Sequence, residues 1–207
     1  MDYILDQNAA KAADVMHSKI EQKGAYVGTF TRAEPIISKK GTQGVDLSFK
    51  TNNSETADYL TLWTHGADGD QLPGFKVLMS IMTCLRVTSL ASEIGEIEKY
   101  NPDTKQREKV SIPLYKGLMN KQIGLLFFME EYPKTAGGTA WKPIISAAYD
   151  EKGFTASEIL NKKTAPELVE KMKAQLKDRP YKGAGSQQPT SSASHFDDLP
   201  IPDDFPF

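Results

Sequence analysis

Apolar and polar residues alternate one for one in short stretches of the first third of the chain. In GVDLSFKTN (44–52), Val45, Leu47 and Phe49 alternate with Asp46, Ser48 and Lys50, the two-residue period of a strand with one face in a core and the other wet. AYVGTFTRAEPII (25–37) precedes it across SKKGTQ, and ADYLTLWTH (57–65) follows across NNSET. Short β-type runs joined by such turns predict a three-stranded meander. The period then changes. From Pro73, PGFKVLMSIMTCLRV puts Phe75, Leu78, Met79, Met82 and Leu85 on one helical face, with Pro73 and Gly74 marking the start.

Elsewhere the pattern is coarser. DQNAAKAADVMHSKIEQ (6–22) spaces Ala9, Ala12, Ala13, Met16 and Ile20 as a helix does, and Gly24 follows as a stop signal. Residues 94–112 predict a polar hairpin about Asn101-Pro102-Asp103. QIGLLFFMEEY (122–132) and AWKPIISAAYD (140–150) are two more strands, linked by PKTAGGT, and a last helix runs over Ala165–Leu176. Three strands, a helix and two strands is the element order of the OB barrel. The expected fold is therefore mainly β with helices (α+β): a five-stranded OB-fold barrel with an inserted hairpin and flanking helices. KGAGSQQPTSSASH (182–195) is small and polar. Such a segment buries too little apolar surface to offset its ordering entropy. The expected division is a folded domain over 1–181, and a disordered linker and acidic tip over 182–207.

Composition narrows the chemistry. With 207 residues and 39% apolar, one domain with a proper core plus a tail is the default. No apolar run approaches the ~20 residues of a membrane span, and MDYILDQNAAKAAD lacks a signal peptide's basic flank and apolar block, which points to a cytoplasmic protein. Cys84 is the single cysteine, and it lies in an apolar helical pattern. It reads as a buried structural thiol, and neither a disulfide framework nor a Cys-rich zinc site is possible. His17, His65 and His195 are too scattered for a metal cluster, and Asp68 and Asp70 in HGADGDQ read as a turn. No GxSxG, HExxH or Walker loop is present, so the expectation is a non-enzymatic protein without metal or cofactor.

Charge is distributed unevenly. Residues 183–207 hold four Asp and no Lys or Arg, which leaves 25 basic against 23 acidic residues in the body. A slightly basic body with an acidic end is a pointer to an anionic partner.

The sheet supplies aromatic side chains beside cations. On the third strand Tyr59, Thr61, Trp63 and His65 share one face, and Leu60 and Leu62 the other. If the leucines point inward, Tyr59 and Trp63 are exposed where successive unpaired bases could stack on them. Lys50 lies on the wet side of the second strand, Lys39 and Lys40 in the first turn, and Arg32 mid-strand. Lys99, Lys105, Arg107 and Lys109 lie in the hairpin, and Lys116, Lys121, Lys134 and Lys142 near the last strands. Lined along a groove, such cations neutralise phosphates and make binding salt-dependent. Tyr100 and Trp141 sit beside lysines and are further candidate platforms.

The chain ends in DDLPIPDDFPF, two Asp-Asp-apolar-Pro units at Asp197-Asp198 and Asp203-Asp204. Phe207 carries a ring for an apolar pocket and a free carboxylate for a partner's Arg or Lys. Asp203-Asp204-Phe205-Pro206-Phe207, with the small linker before it, resembles the acidic C-terminal tip of bacterial single-stranded DNA-binding proteins. More loosely, the body resembles the single-stranded DNA-binding proteins of tailed bacteriophages, OB domains longer than the bacterial one. The insertion around 90–118 and the helix after the barrel depart from the bacterial domain, so its tetramer and its DNA contacts are not carried over. The resemblance implies coating of single-stranded DNA during replication, recombination and repair, in the host cytoplasm if a phage encodes the protein. It also implies recruitment of replication and recombination proteins through the tip, and competition between tip and DNA for the basic groove. A strand-annealing or recombination accessory protein, and an adaptor whose aromatic face binds protein, are the alternatives.

Overall fold

The computed structural model describes residues 18–101, 106–135 and 137–181. The meander forms as expected: β1 (Gly24–Ile37), β2 (Gln43–Thr51) and β3 (Thr56–His65). After α1 (Pro73–Cys84) comes a hairpin of β4 (Glu93–Asn101) and β5 (Gln106–Leu114), which among the described residues form a two-stranded sheet of their own. A single 3-10 turn leads into β6 (Gln122–Pro133) and β7 (Thr139–Tyr149), and α2 (Ala156–Leu160) and α3 (Leu168–Gln175) follow. The main sheet is antiparallel, in the order β3-β2-β1-β6-β7.

β1 serves both halves of that sheet. Its first part, Gly24–Thr29, pairs with β6, and Gly28–Ile37 pairs with β2. The strand changes partner at Gly28, where an added Cβ would lie 2.1 Å from the Lys50 carbonyl oxygen and 2.7 Å from the Thr51 Cα. Only glycine lets the backbones come that close. Where β1 leaves β6, the segment after β5 takes over its vacated edge: the Tyr115 N–H donates to the Ala33 carbonyl at 2.8 Å and the Asn120 N–H to that of Phe30 at 3.0 Å. At the other end, where β6 outruns β1, Arg179 fills the gap. Its N–H donates to the Met129 carbonyl, and its carbonyl accepts from the Glu131 N–H, both at 2.8 Å. The backbone groups exposed by the crossover are thereby satisfied.

The core lies between the inner sheet face and α1. Phe30, Phe49 and Phe127 are fully buried, with ring centroids 5.7 Å apart for the first two and 5.9 Å for the last two. Val77, Leu78, Ile81 and Met82 of α1 close over it. A smaller cluster forms on the opposite face, where Val169 and Leu176 pack against Leu126 and Tyr149. This second cover explains the unbroken apolar run of β6, whose residues Ile123–Phe127 are buried on both faces.

Several expectations need correction. No ladder joins β3 to β7 among the described residues, so the sheet is not a closed barrel; α1 packs against both edge strands instead. The described part of the 6–22 helix is not helical: Lys19 bridges Thr56, and Ile20 enters the core. Residues 1–17 lie outside the described residues. The wet face of β2 is wet only in part, since Asp46 and Ser48 are buried while Lys50 is exposed. The last helix begins at Leu168 rather than Ala165, because Pro166 disfavours a helical backbone in the residue before it; a short helix, α2, lies earlier in the chain. Among the described residues no helix is long and apolar enough to cross a membrane.

Candidate functional site

The strand registers assemble one face from three separate stretches of sequence. Val45, Leu47 and Phe49 point into the core, so Asp46, Ser48 and Lys50 point outward. Across the ladders, Ser48 faces Arg32, Asp46 lies between Glu34 and Thr61, and Gly44 lies between Ile36 and Trp63. Leu60 and Leu62 are buried, and Tyr59, Thr61 and Trp63 are exposed. The inward leucines and outward aromatics are thus as expected.

Tyr59 is 80% exposed, and its backbone explains how it is aimed. Leu47 faces Leu60 and Phe49 faces Ala57, so Asp58 and Tyr59 both crowd opposite Ser48 in a β-bulge. Tyr59 has a φ of 59°, a left-handed conformation that costs a non-glycine residue on the order of 1–3 kcal/mol and that collects at functional positions. Its ring comes to rest over Arg32, whose guanidinium carbon lies 5.7 Å from the ring centroid.

Arg32 itself is nearly enclosed, its side chain 14% exposed. Its Nε donates to Ser48 Oγ at 3.2 Å, one terminal nitrogen donates to Glu34 Oε2 at 3.2 Å, and the other is paired with Asp46 Oδ2. The Thr61 hydroxyl donates to Asp46 Oδ1 at 2.9 Å. One guanidinium thus faces two carboxylates.

Trp63 is 38% exposed and lies against bare backbone. A Cβ on Gly44 would sit 2.9 Å from the indole Cε3 and 2.6 Å from the Leu62 carbonyl oxygen. Glycine there leaves room for the ring beside the sheet. Four residues at about 3.3 Å each place Tyr59 and Trp63 on the order of 13 Å apart, which is too far for two bases stacked on each other. The two platforms suit bases separated along an extended strand.

The other sequence candidates are scattered. Lys39, Lys40 and Lys50 are exposed, the first two in the β1–β2 turn and the third on the outer face of β2. Trp141, 47% exposed, stands on β7 at the far end of the sheet order, beside a cleft lined by Lys23, Met129 and Asp178. Nearby, Lys142 is paired with Glu130 at 3.0 Å and lies 5.8 Å from the Tyr132 ring centroid. Tyr100 and Arg107 face each other in the β4–β5 register. Lys105 and the tail residues Asp197, Asp198, Asp203, Asp204, Phe205, Pro206 and Phe207 lie outside the described residues.

Gly44, Asp46 and Glu34 belong to this face and were not singled out from the sequence. Their signal was present only as alternation, because pairing Arg32 with Asp46 requires the β1–β2 register. Among the described residues no group of three or more His, Cys, Asp or Glu is placed to hold a metal ion. Cys84 is buried, and burial, with the Asp150 charge adding to it, pushes its thiol up to about 12; at neutral pH it is a thiol rather than a nucleophilic thiolate. No protein-family model matches the chain, and no curated protein matches it.

Proposed function

We propose that this protein binds single-stranded DNA with little sequence preference, without catalysing a reaction, and recruits replication, recombination and repair proteins through its acidic end. The observation that carries the proposal is the outer face of β3, where Tyr59 and Trp63 stand exposed and one of them is held there by a strained backbone. Aromatic platforms of this kind accept any base, because every base has a π face, and each is worth about 1–3 kcal/mol. Lys39, Lys40 and Lys50 supply phosphate contacts at the margin of the face. The strand order also supports an OB-type assignment, as one long first strand pairs with both the second and the fourth strands of the main sheet.

A second reading is favoured by the ion-paired centre of the face. Arg32 paired with Asp46 and Glu34, beside the exposed Tyr59 ring, also suits a protein surface.

Fluorescence titration with oligo-dT separates the two. The DNA reading expects tryptophan quenching, an affinity that falls with salt, preference for single over double strands, and a roughly 5- to 150-fold loss in Trp63→Ala. Absence of binding at low salt overturns it and leaves the protein-binding reading. Truncation of the last eight residues is expected to abolish partner pull-down with DNA affinity equal or higher; a marked loss of DNA binding would refute the role given to the tail.

A further inference from the structure

Arg32 lies against the Tyr59 platform, yet its surroundings set it apart from the lysines. Its Nε and both terminal nitrogens are engaged, by Ser48, Glu34 and Asp46. A phosphate arriving there would have to compete with Ser48, Glu34 and Asp46, which already hold the guanidinium. The guanidinium carbon instead lies over the Tyr59 ring, 5.7 Å from its centroid, within cation–π range.

We propose that Arg32 is a positioning residue: it holds the Tyr59 ring as a base platform and takes no phosphate. The inference rests on the DNA-binding reading and assigns the site's charge differently from its most obvious form. Tyr59 needs such a support. The bulge and its left-handed backbone turn the side chain outward, but they leave the ring itself with no neighbour in the regular ladder to lie against. Arg32 supplies a planar surface fixed from below by its acceptors. Lysine would keep the charge but not the plane or the fork that fixes it. With the underside of the ring on Arg32, its outer face is open to a base, and the phosphates run past the exposed lysines.

The test compares full-length wild type, Arg32→Met, Tyr59→Ala, the double variant and Lys50→Ala, titrated with oligo-dT over a series of salt concentrations. If Arg32 acts through Tyr59, Arg32→Met weakens binding by no more than Tyr59→Ala does, and it adds less than about twofold on the Tyr59→Ala background. The slope of log affinity against log salt stays at the wild-type value in Arg32→Met and becomes shallower by about 0.7 in Lys50→Ala. A shallower slope in Arg32→Met, or additive losses in the double variant, overturns the proposal and makes Arg32 a phosphate ligand. Should Arg32→Met melt early because Asp46 and Glu34 lose their guanidinium, Arg32→Met with Asp46→Asn and Glu34→Gln removes both ion pairs and carries the same test. Failure of the wild type to bind would refute the DNA reading alone, because the DNA-free protein gives its own readout. The Tyr59 ring resonances in NMR spectra are expected to shift in Arg32→Met, and unchanged resonances would show that Arg32 does not hold the ring.

Discussion

Glu158 is a buried carboxylate, 4% exposed, whose two oxygens each accept two hydrogen bonds. Oε2 accepts from the Thr155 N–H at 2.8 Å and the Thr155 hydroxyl at 2.9 Å, closing a capping box on α2. Oε1 accepts from the N–H groups of Glu167 at 2.6 Å and Leu168 at 3.0 Å, which tie down the start of α3. Glu158→Gln keeps the volume and half the acceptors. If the new amide nitrogen takes the Thr155 side, the threonine hydroxyl can turn to accept from it, and only the Thr155 N–H is opposed by a donor. One opposed buried donor costs about 1–3 kcal/mol, and the remaining bonds lose their charge assistance. A total near 2 kcal/mol corresponds to a melting shift of about 4–8 °C in a body of this size. Burial raises the Glu158 pKa, but the backbone and Thr155 donors outweigh it and hold the carboxyl below its usual value. The sign of the pH effect follows. A depressed folded-state pKa contributes stability above the unfolded value, and this is lost as pH falls through the folded one. Urea unfolding should therefore show a lower midpoint with an unchanged slope for Glu158→Gln at pH 7. The gap to wild type should narrow as pH falls below about 4.5. A gap that persists unchanged to pH 3, or no gap at pH 7, would refute the assignment.

Two further outcomes are expected. The Cys84 thiol, buried and raised to about 12, should resist alkylation at pH 8 in the folded protein and react promptly in denaturant; rapid labelling of the native state would contradict its burial. Gly28→Ala forces a Cβ onto the Lys50 carbonyl and should cost about 1–3 kcal/mol or more in denaturant unfolding, whereas a neutral effect would mean that the strands separate easily at the change of partner.

What the sequence revealed depended on how locally each feature is encoded. The meander, α1 and the β4–β5 hairpin were legible because periods of two and 3.6 are properties of neighbours in the chain. So was the outward set of Trp63 and Tyr59, which follows from Leu60 and Leu62 alone. The part of Lys19–Gln22 that pairs with β3 was not, because Ile20 fits a helical stripe and a core-facing strand equally well. Asp46 looked wet beside Ser48 and Lys50; its burial arises from Arg32 and Glu34 on β1 and Thr61 on β3, none of them on its own strand. The bulge at Tyr59 left no trace in composition, since tyrosine is a poor choice for a left-handed backbone and only tertiary context sustains it there.

The double use of β1 has a kinetic consequence. Its pairing with β2 spans a short turn, whereas its pairing with β6 joins Gly28 to Ile123 across a third strand, a helix and a hairpin. Closing so long a loop is costly in chain entropy and slows folding. The meander is expected to form first, leaving the Gly24–Thr29 edge open until β6 arrives. During that interval the nascent protein is most exposed to mispairing with another chain.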